Sequence, residues 1–347
     1  MIKRFVERFI FTAIMGIMMA CTESDGNVFT VVTDENYALA ETQVIFADYR
    51  NRIAAVSGTG GTGVFLHNTN AADPNDKTVV RINFDTRYSM CLLDLKEDAV
   101  LTMPETGGRY QSAWFVTEEH YNPMAITAPG TYTLTEEMMG SRYVLIIVRT
   151  LVNMKDEKDM GVVTELQKQL KIEQADRGSY EPSCQWNMDE ILAMRKKYVE
   201  IATEKRLAAD DMFGKKGSLT QENHNCGVAY GWGGFTSDQA VYLSYIPQNE
   251  EPCTLTLKDV PVADNAFWSI TIYDIEGYPQ GDPYNINSTF AARNEDGSVT
   301  VHFGGDDKSV ANYMEIFPGW TFILRLYLPQ DEYFNKTWTK PELEYGK

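Results

Sequence analysis

Within Phe267–Ser288, apolar Trp268, Ile270 and Ile272 alternate with Ser269, Thr271 and Tyr273. That period of two predicts a strand with one apolar and one polar face. Asp274, Gly277 and Pro279 end it, and the following loop carries Asn285 and Asn287, whose amides suit backbone groups or a polar ligand. The same reading predicts strands at Val79–Asp85, Ala99–Met103, Arg109–Thr117, Gly130–Leu134 and Tyr143–Val152. A second block follows at Ala240–Ile246, Cys253–Leu257, Val299–Phe303 and Phe322–Leu328. Tyr143–Val148 is apolar on both faces and belongs at the centre of a sheet. Asp296-Gly297 reads as a hairpin turn between Thr289–Arg293 and Ser298–Phe303. The period becomes helical at Glu35–Arg50, Met160–Ile172 and Asn187–Asp211. In the last of these, Ile191, Met194, Tyr198 and Ile201 form an apolar stripe and Asn187 pairs with Glu190 as a cap. The pattern predicts a mainly β chain: a β-sandwich over residues 35–153, a helical connection over 154–215, and a second sandwich over 216–347.

The first residues follow a different logic. Lys3, Arg4 and Arg8 precede the apolar run Phe9–Ala20, and Cys21 follows. The run is too short to span a bilayer and fits a signal peptide over residues 1–21. Met18-Met19-Ala20-Cys21 resembles a lipobox. The expectation is an extracytoplasmic protein of the cell envelope or periplasm, lipid-anchored through Cys21.

Forty-nine acidic against 31 basic residues give a net charge of −18, which excludes nucleic acid and leaves the lipid anchor as the expected membrane contact. Beyond Cys21, four cysteines remain: Cys91, Cys184, Cys226 and Cys253. An oxidising compartment permits two disulfides among them, in three connectivities, with none signalled; Cys91, in an apolar run, reads as a buried thiol. No CxxC, HExxH or G-x-S-x-G is present, so no metal, cofactor or serine elbow is expected. Gly58–Gly63 formally spells G-x-G-x-x-G, but the strand-like Val64-Phe65-Leu66 follows it where a helix is required, so it reads as a loop.

Chemistry concentrates in Arg81-Ile82-Asn83-Phe84-Asp85. As a strand, it sets Arg81, Asn83 and Asp85 on one face, able to grip a polar ligand or to form a solvated Arg–Asp pair. Tyr88, Trp232 and Asn285 join them as candidate ligand contacts, Trp232 because its flanking glycines suggest close backbone approach. His67, His120 and His224 are candidate bases beside Asp85; His302 is the fourth histidine.

Several stretches carry a family resemblance. VVRINFDTRYS (Val79–Ser89), GGRYQSAWFVTEEHYN (Gly107–Asn122), GTYTL (Gly130–Leu134), GWGG (Gly231–Gly234), FWSITIYDIEGY, NEDGSVTVHFGG (Asn294–Gly305) and PGWTFILRLYLP (Pro318–Pro329) resemble the DUF1254/DUF1214 proteins, in order, over roughly residues 35–345. The resemblance implies two jelly-roll-like domains. It also implies a site at residues 81–89, where Phe84 departs from the family's usual arginine and Arg87 from its leucine. Two classes of function stay open. One is a binding protein for a small polar or carbohydrate-like ligand, with homo-oligomerisation possible. The other is a metal-independent hydrolase using Asp85 and a histidine. Convergence of a histidine and Asp85 on one pocket separates them.

Overall fold

The computed structural model describes residues 29–77 and 81–346. The signal segment with Cys21, and Val79–Val80 of the expected first strand, lie outside the described residues. The chain is mainly β. It opens with helix α1 (Tyr37–Ser57), then β1 (Leu66–His67), β2 (Thr86–Asp94), β3 (Ala99–Met103), β4 (Gln111–Thr117), β5 (Ala125–Ile126) and β6 (Gly130–Leu134). After the one-turn α2 (Glu136–Met139) come β7 (Tyr143–Leu151), α3 (Glu157–Gln169) and β8 (Lys171–Gln174). A five-stranded sheet of order β1-β2-β7-β4-β5 faces a three-stranded sheet of order β6-β3-β8. Cys91, Leu93, Leu101, Phe115, Ile146 and Val148 fill the space between them.

The second face of the larger sheet is buried too. Met90, Leu92, Trp114, Val116, Leu145 and Ile147 pack under a helical layer of α1, α4 (Met188–Lys205), α5 (Ala209–Met212) and α6 (Gln221–Gly231). This explains the unbroken apolar runs of β2, β4 and β7: strands covered on both sides have no polar face to show. β7 is central, as its sequence predicts.

The second sandwich contains β9 (Ala240–Tyr245), β10 (Cys253–Leu257), β11 (Trp268–Tyr273), β12 (Asn285–Asn287), β13 (Val299–Phe303), β14 (Tyr313–Met314) and β15 (Thr321–Tyr327), followed by α7 (Asp331–Phe334) and β16 (Glu344–Tyr345). Its sheets run β14-β13-β10-β16 and β12-β11-β15-β9. Trp268, Ile270, Ile272, Phe322, Leu324 and Leu326 point into its core, so the expected strand register holds.

Four local expectations are corrected. Residues 81–85 are not a strand. Arg81 sits at φ 54°, and the Asn83 Oδ1 accepts the Asp85 backbone N–H at 2.7 Å, so a turn replaces the extended chain and β2 starts at Thr86. Helix 160–172 ends at Gln169, and β8 follows as an edge strand of the first sandwich, inside the stretch expected to be helical connector. Helix 187–211 is interrupted at Arg206, which takes a left-handed φ of 54° and splits it into α4 and α5. Thr289–Arg293 forms no strand, so Asp296-Gly297 turns into β13 from an irregular segment rather than from a hairpin partner.

Candidate functional site

The polar face of β11 is not solvated. Ser269 and Thr271 are fully buried, and with Tyr273, Arg325, Tyr327, Asn285 and Asn287 they meet the turn at residues 81–85 of the first domain. Asp85 is fully buried at the centre of that contact, and its Oδ1 accepts from the Asn285 amide at 3.2 Å and the Asn287 amide at 3.1 Å. Asn83 donates to Thr86 at 3.0 Å, to the Tyr327 hydroxyl at 3.1 Å and to the Tyr88 hydroxyl at 3.4 Å. Arg325, 1% exposed, donates to Thr271 at 3.0 Å, to the Tyr273 hydroxyl at 2.7 Å and to the Arg81 carbonyl at 3.2 Å. The Tyr273 hydroxyl in turn donates to the Ile82 carbonyl at 2.8 Å. The turn is thus bound side chain to backbone across the domain boundary.

Burial pushes the Asp85 carboxyl above its ordinary range. The Ser269 hydroxyl, the Arg325 charge and the Asn287 and Asn285 amides pull the other way without winning. The solvated Arg81–Asp85 pair that the sequence allowed is not what forms: Asp85 is fully buried, the cation acting on it is Arg325, and desolvation dominates. Burial also acts on Tyr88, but there the Arg149 charge and hydrogen bonds from Arg149, Thr86 and Asn83 outweigh it and hold the phenol below its usual range.

Asn285 and Asn287 have a second side. They line a cleft of about 420 Å³ between the domains. Phe84, Asn153 and Lys155 form one wall, and Tyr284, Lys308 and Tyr313 belong to the other. Lys155 crosses the mouth to Asp282 at 2.5 Å, and Phe84 meets the edge of Tyr284 at 4.8 Å. Asp85 therefore orients two cleft-lining amides from behind.

The other candidates group elsewhere. His67 shares a hydrogen bond with Ser89 at 2.8 Å and is lowered by burial. His120 and His224 stack at 5.9 Å, both buried, beside Tyr121 and Trp232. His120 Nε2 accepts the Gly233 N–H at 2.9 Å, and Trp232 donates to the Thr42 hydroxyl at 3.1 Å, so GWGG fastens α6 to the first sandwich. Burial holds His224 at about 4, and burial with His224's proximity holds His120 well below its usual value. His302 lies in a separate cleft of about 240 Å³ with Cys253, Asp306 and Glu344. Asp85's neighbours are Ser269, Arg325, Asn285 and Asn287, none a histidine. All four of Cys91, Cys184, Cys226 and Cys253 are free thiols.

Arg325, Arg149 and Lys155 escaped the sequence reading, whereas Asn287 was read with Asn285 as a loop amide suited to a polar ligand. The two arginines had a signal: each is the lone charge in an apolar strand, in FILRLYL and VLIIVRTL. A charge there is costly unless something answers it.

Two β-sandwiches meeting at a polar junction, with helices over one of them, define the class of fold. Residues 62–174 match the family model described as protein of unknown function DUF1254, and residues 248–331 match that of DUF1214. The chain belongs to the DUF1254/DUF1214 proteins. Among solved structures it is similar to the VPA0106 protein from Vibrio parahaemolyticus, at 16% identity and TM-score 0.65, covering 90% of this chain and 98% of that one. An uncharacterized protein from Burkholderia cenocepacia aligns at 14% identity and TM-score 0.49, over 89% of this chain and 86% of its own. No curated protein matches the chain.

Proposed function

We propose that this is an exported, lipid-anchored binding protein that holds a small polar, carbohydrate-like ligand in the cleft between its two domains. The observation that carries the reading is that Asn285 and Asn287 line the cleft while buried Asp85 fixes both amides from behind. An amide whose orientation is preset loses little freedom when it grips a hydroxyl. Tyr284 and Tyr313 add ring faces and Lys155 and Lys308 add donors, the mixture that hydroxylated ligands use. Asp85 serves as an orienting group, in keeping with its full burial and its distance from any histidine partner.

Isothermal titration of the purified full-length chain against neutral and acidic mono- and disaccharides tests the cleft. Saturable binding is expected, weakened about tenfold or more by Asn285→Ala or Asn287→Ala through loss of an oriented hydrogen bond. Binding that both substitutions leave intact, or no saturable binding by any sugar, overturns the reading. Anchoring has its own test: Cys21→Ser is expected to abolish lipid labelling and release the protein from membranes, and persistent labelling ends that part of the proposal.

A further inference from the structure

Arg149 is an inward charge that, among the described residues, is answered by the Tyr88 phenol and by no carboxylate. It sits on β7 directly opposite Tyr88 of β2, with its guanidinium 3.8 Å from the centre of the Phe235 ring and 5.3 Å from that of Tyr88. Its Nη1 is shielded from solvent and makes no hydrogen bond. Among the described residues no carboxylate lies within ion-pair distance of it. Other inward arginines are answered: Arg109 has Asp159 at 2.5 Å and Arg195 has Glu41, while Arg325 donates to Thr271 and Tyr273 and Arg87 to the Met160 carbonyl and Thr164. A desolvated guanidinium facing only aromatic rings and a phenol is expensive to keep in a fold. Cation–π contact recovers a small part of that cost.

The surroundings leave room for an answer. Tyr88, Arg149 and Tyr242 are half-buried rather than sealed, so each keeps an accessible edge. Asn83 ties Tyr88 to the domain junction: its amide reaches the Tyr88 hydroxyl, while its carbonyl oxygen accepts the Asp85 backbone N–H.

We propose that Arg149 and the Tyr88 hydroxyl form a binding site for an organic monocarboxylate, whose body packs among the rings of Tyr88, Tyr242 and Phe235. The guanidinium fork matches a carboxylate and supplies its donors in one plane. One uncompensated positive charge is balanced by one negative charge, which favours a monocarboxylate over a phosphate dianion. The aromatic walls favour an apolar or aromatic body. This site rests on Arg149 and Tyr88 and is independent of the sugar cleft.

The test titrates the full-length chain with benzoate, acetate and inorganic phosphate, by calorimetry and by the tyrosine difference spectrum. Benzoate is expected to bind saturably and more tightly than acetate or phosphate. Arg149→Met should weaken it at least tenfold and Arg149→Lys by less, because the lysine keeps charge but loses the fork. Tyr88→Phe should weaken binding by less than Arg149→Met while shrinking the spectral change, a readout that survives if Arg149→Met fails to fold. The proposal is overturned if neither carboxylate binds saturably, if phosphate binds tightest, or if folded Arg149→Met binds like the wild type. It is equally overturned if wild-type protein shows tyrosinate absorbance near neutral pH that carboxylates do not alter, since Tyr88 would then itself be the counter-charge.

Discussion

His120 and His224 show how one buried contact ties stability to pH. Both are held neutral, His224 near 4, below the ordinary imidazole value of 6.5. Above pH 6.5 both rings are neutral whether the chain is folded or not, and the native state has its full stability. As pH falls from there towards 4, the unfolded chain takes up protons that the folded chain refuses, and stability is lost across that window. For His224 the loss is about 3 kcal/mol. Urea midpoints from neutral to mildly acidic pH should therefore fall less steeply for His224→Phe than for wild type, and equal slopes would count against it. Asp85 works in the opposite direction. Its folded value is raised, so its unfavourable charge is relieved as pH drops through that value towards 3.8. Asp85→Ala should cost about 2–4 kcal/mol in denaturant unfolding, because it strands the Asn285 and Asn287 amides and leaves Arg325 unopposed. The residue pattern pointed to Asp85 but could not show this burden. Alternation in Arg81–Asp85 looks the same whether the side chains face water, form a turn or meet a second domain.

At the scale of elements, what could be read was what periodicity encodes. β11 was legible because Trp268, Ile270 and Ile272 alternate, and Trp268, at 4% exposure in the core, should cost roughly 3–5 kcal/mol when changed to alanine. An undiminished denaturation midpoint would refute that placement. The burial of Ser269 and Thr271 was not legible, since a polar strand face sealed by another domain's polar residues carries the pattern of a solvated one. Helix α6 was missed for a related reason. His224–Gly231 is buried on every side, so no apolar stripe stands against a polar one, and Gly227 weakens the helical signal further. Gly227 is there because a methyl group would lie 2.3 Å from the Met212 carbonyl oxygen of α5. Gly-to-Ala within a helix ordinarily gains about 1 kcal/mol. Here the approach of two helices reverses the sign, and Gly227→Ala should lower the thermal midpoint.

For the whole molecule, two sandwiches and a helical connection were expected from the order of strand and helix signals, and the observed sheets agree with two sandwiches, while the helices cover a face of the first. The junction between the domains was beyond reach because it is built from residues far apart in sequence, Asp85 with Asn285 and Asn287, Asn83 with Tyr327. Nothing local marks such partners. The unpaired thiols give the architecture one more use. Cys91 lies between the sheets of the first sandwich, Cys226 in the helical layer and Cys253 in the core of the second sandwich beside the His302 cleft, all with thiols pushed up by burial. A thiol reagent can reach Cys91 and Cys226 only when their own layers open, and Cys253 by way of the cleft. Site-resolved labelling by mass spectrometry would clock the first sandwich and the helical layer separately, with no engineered probe. Equal rates at Cys91 and Cys226 would mean that these two layers open as one unit, and unequal rates would rank them by the order in which they give way.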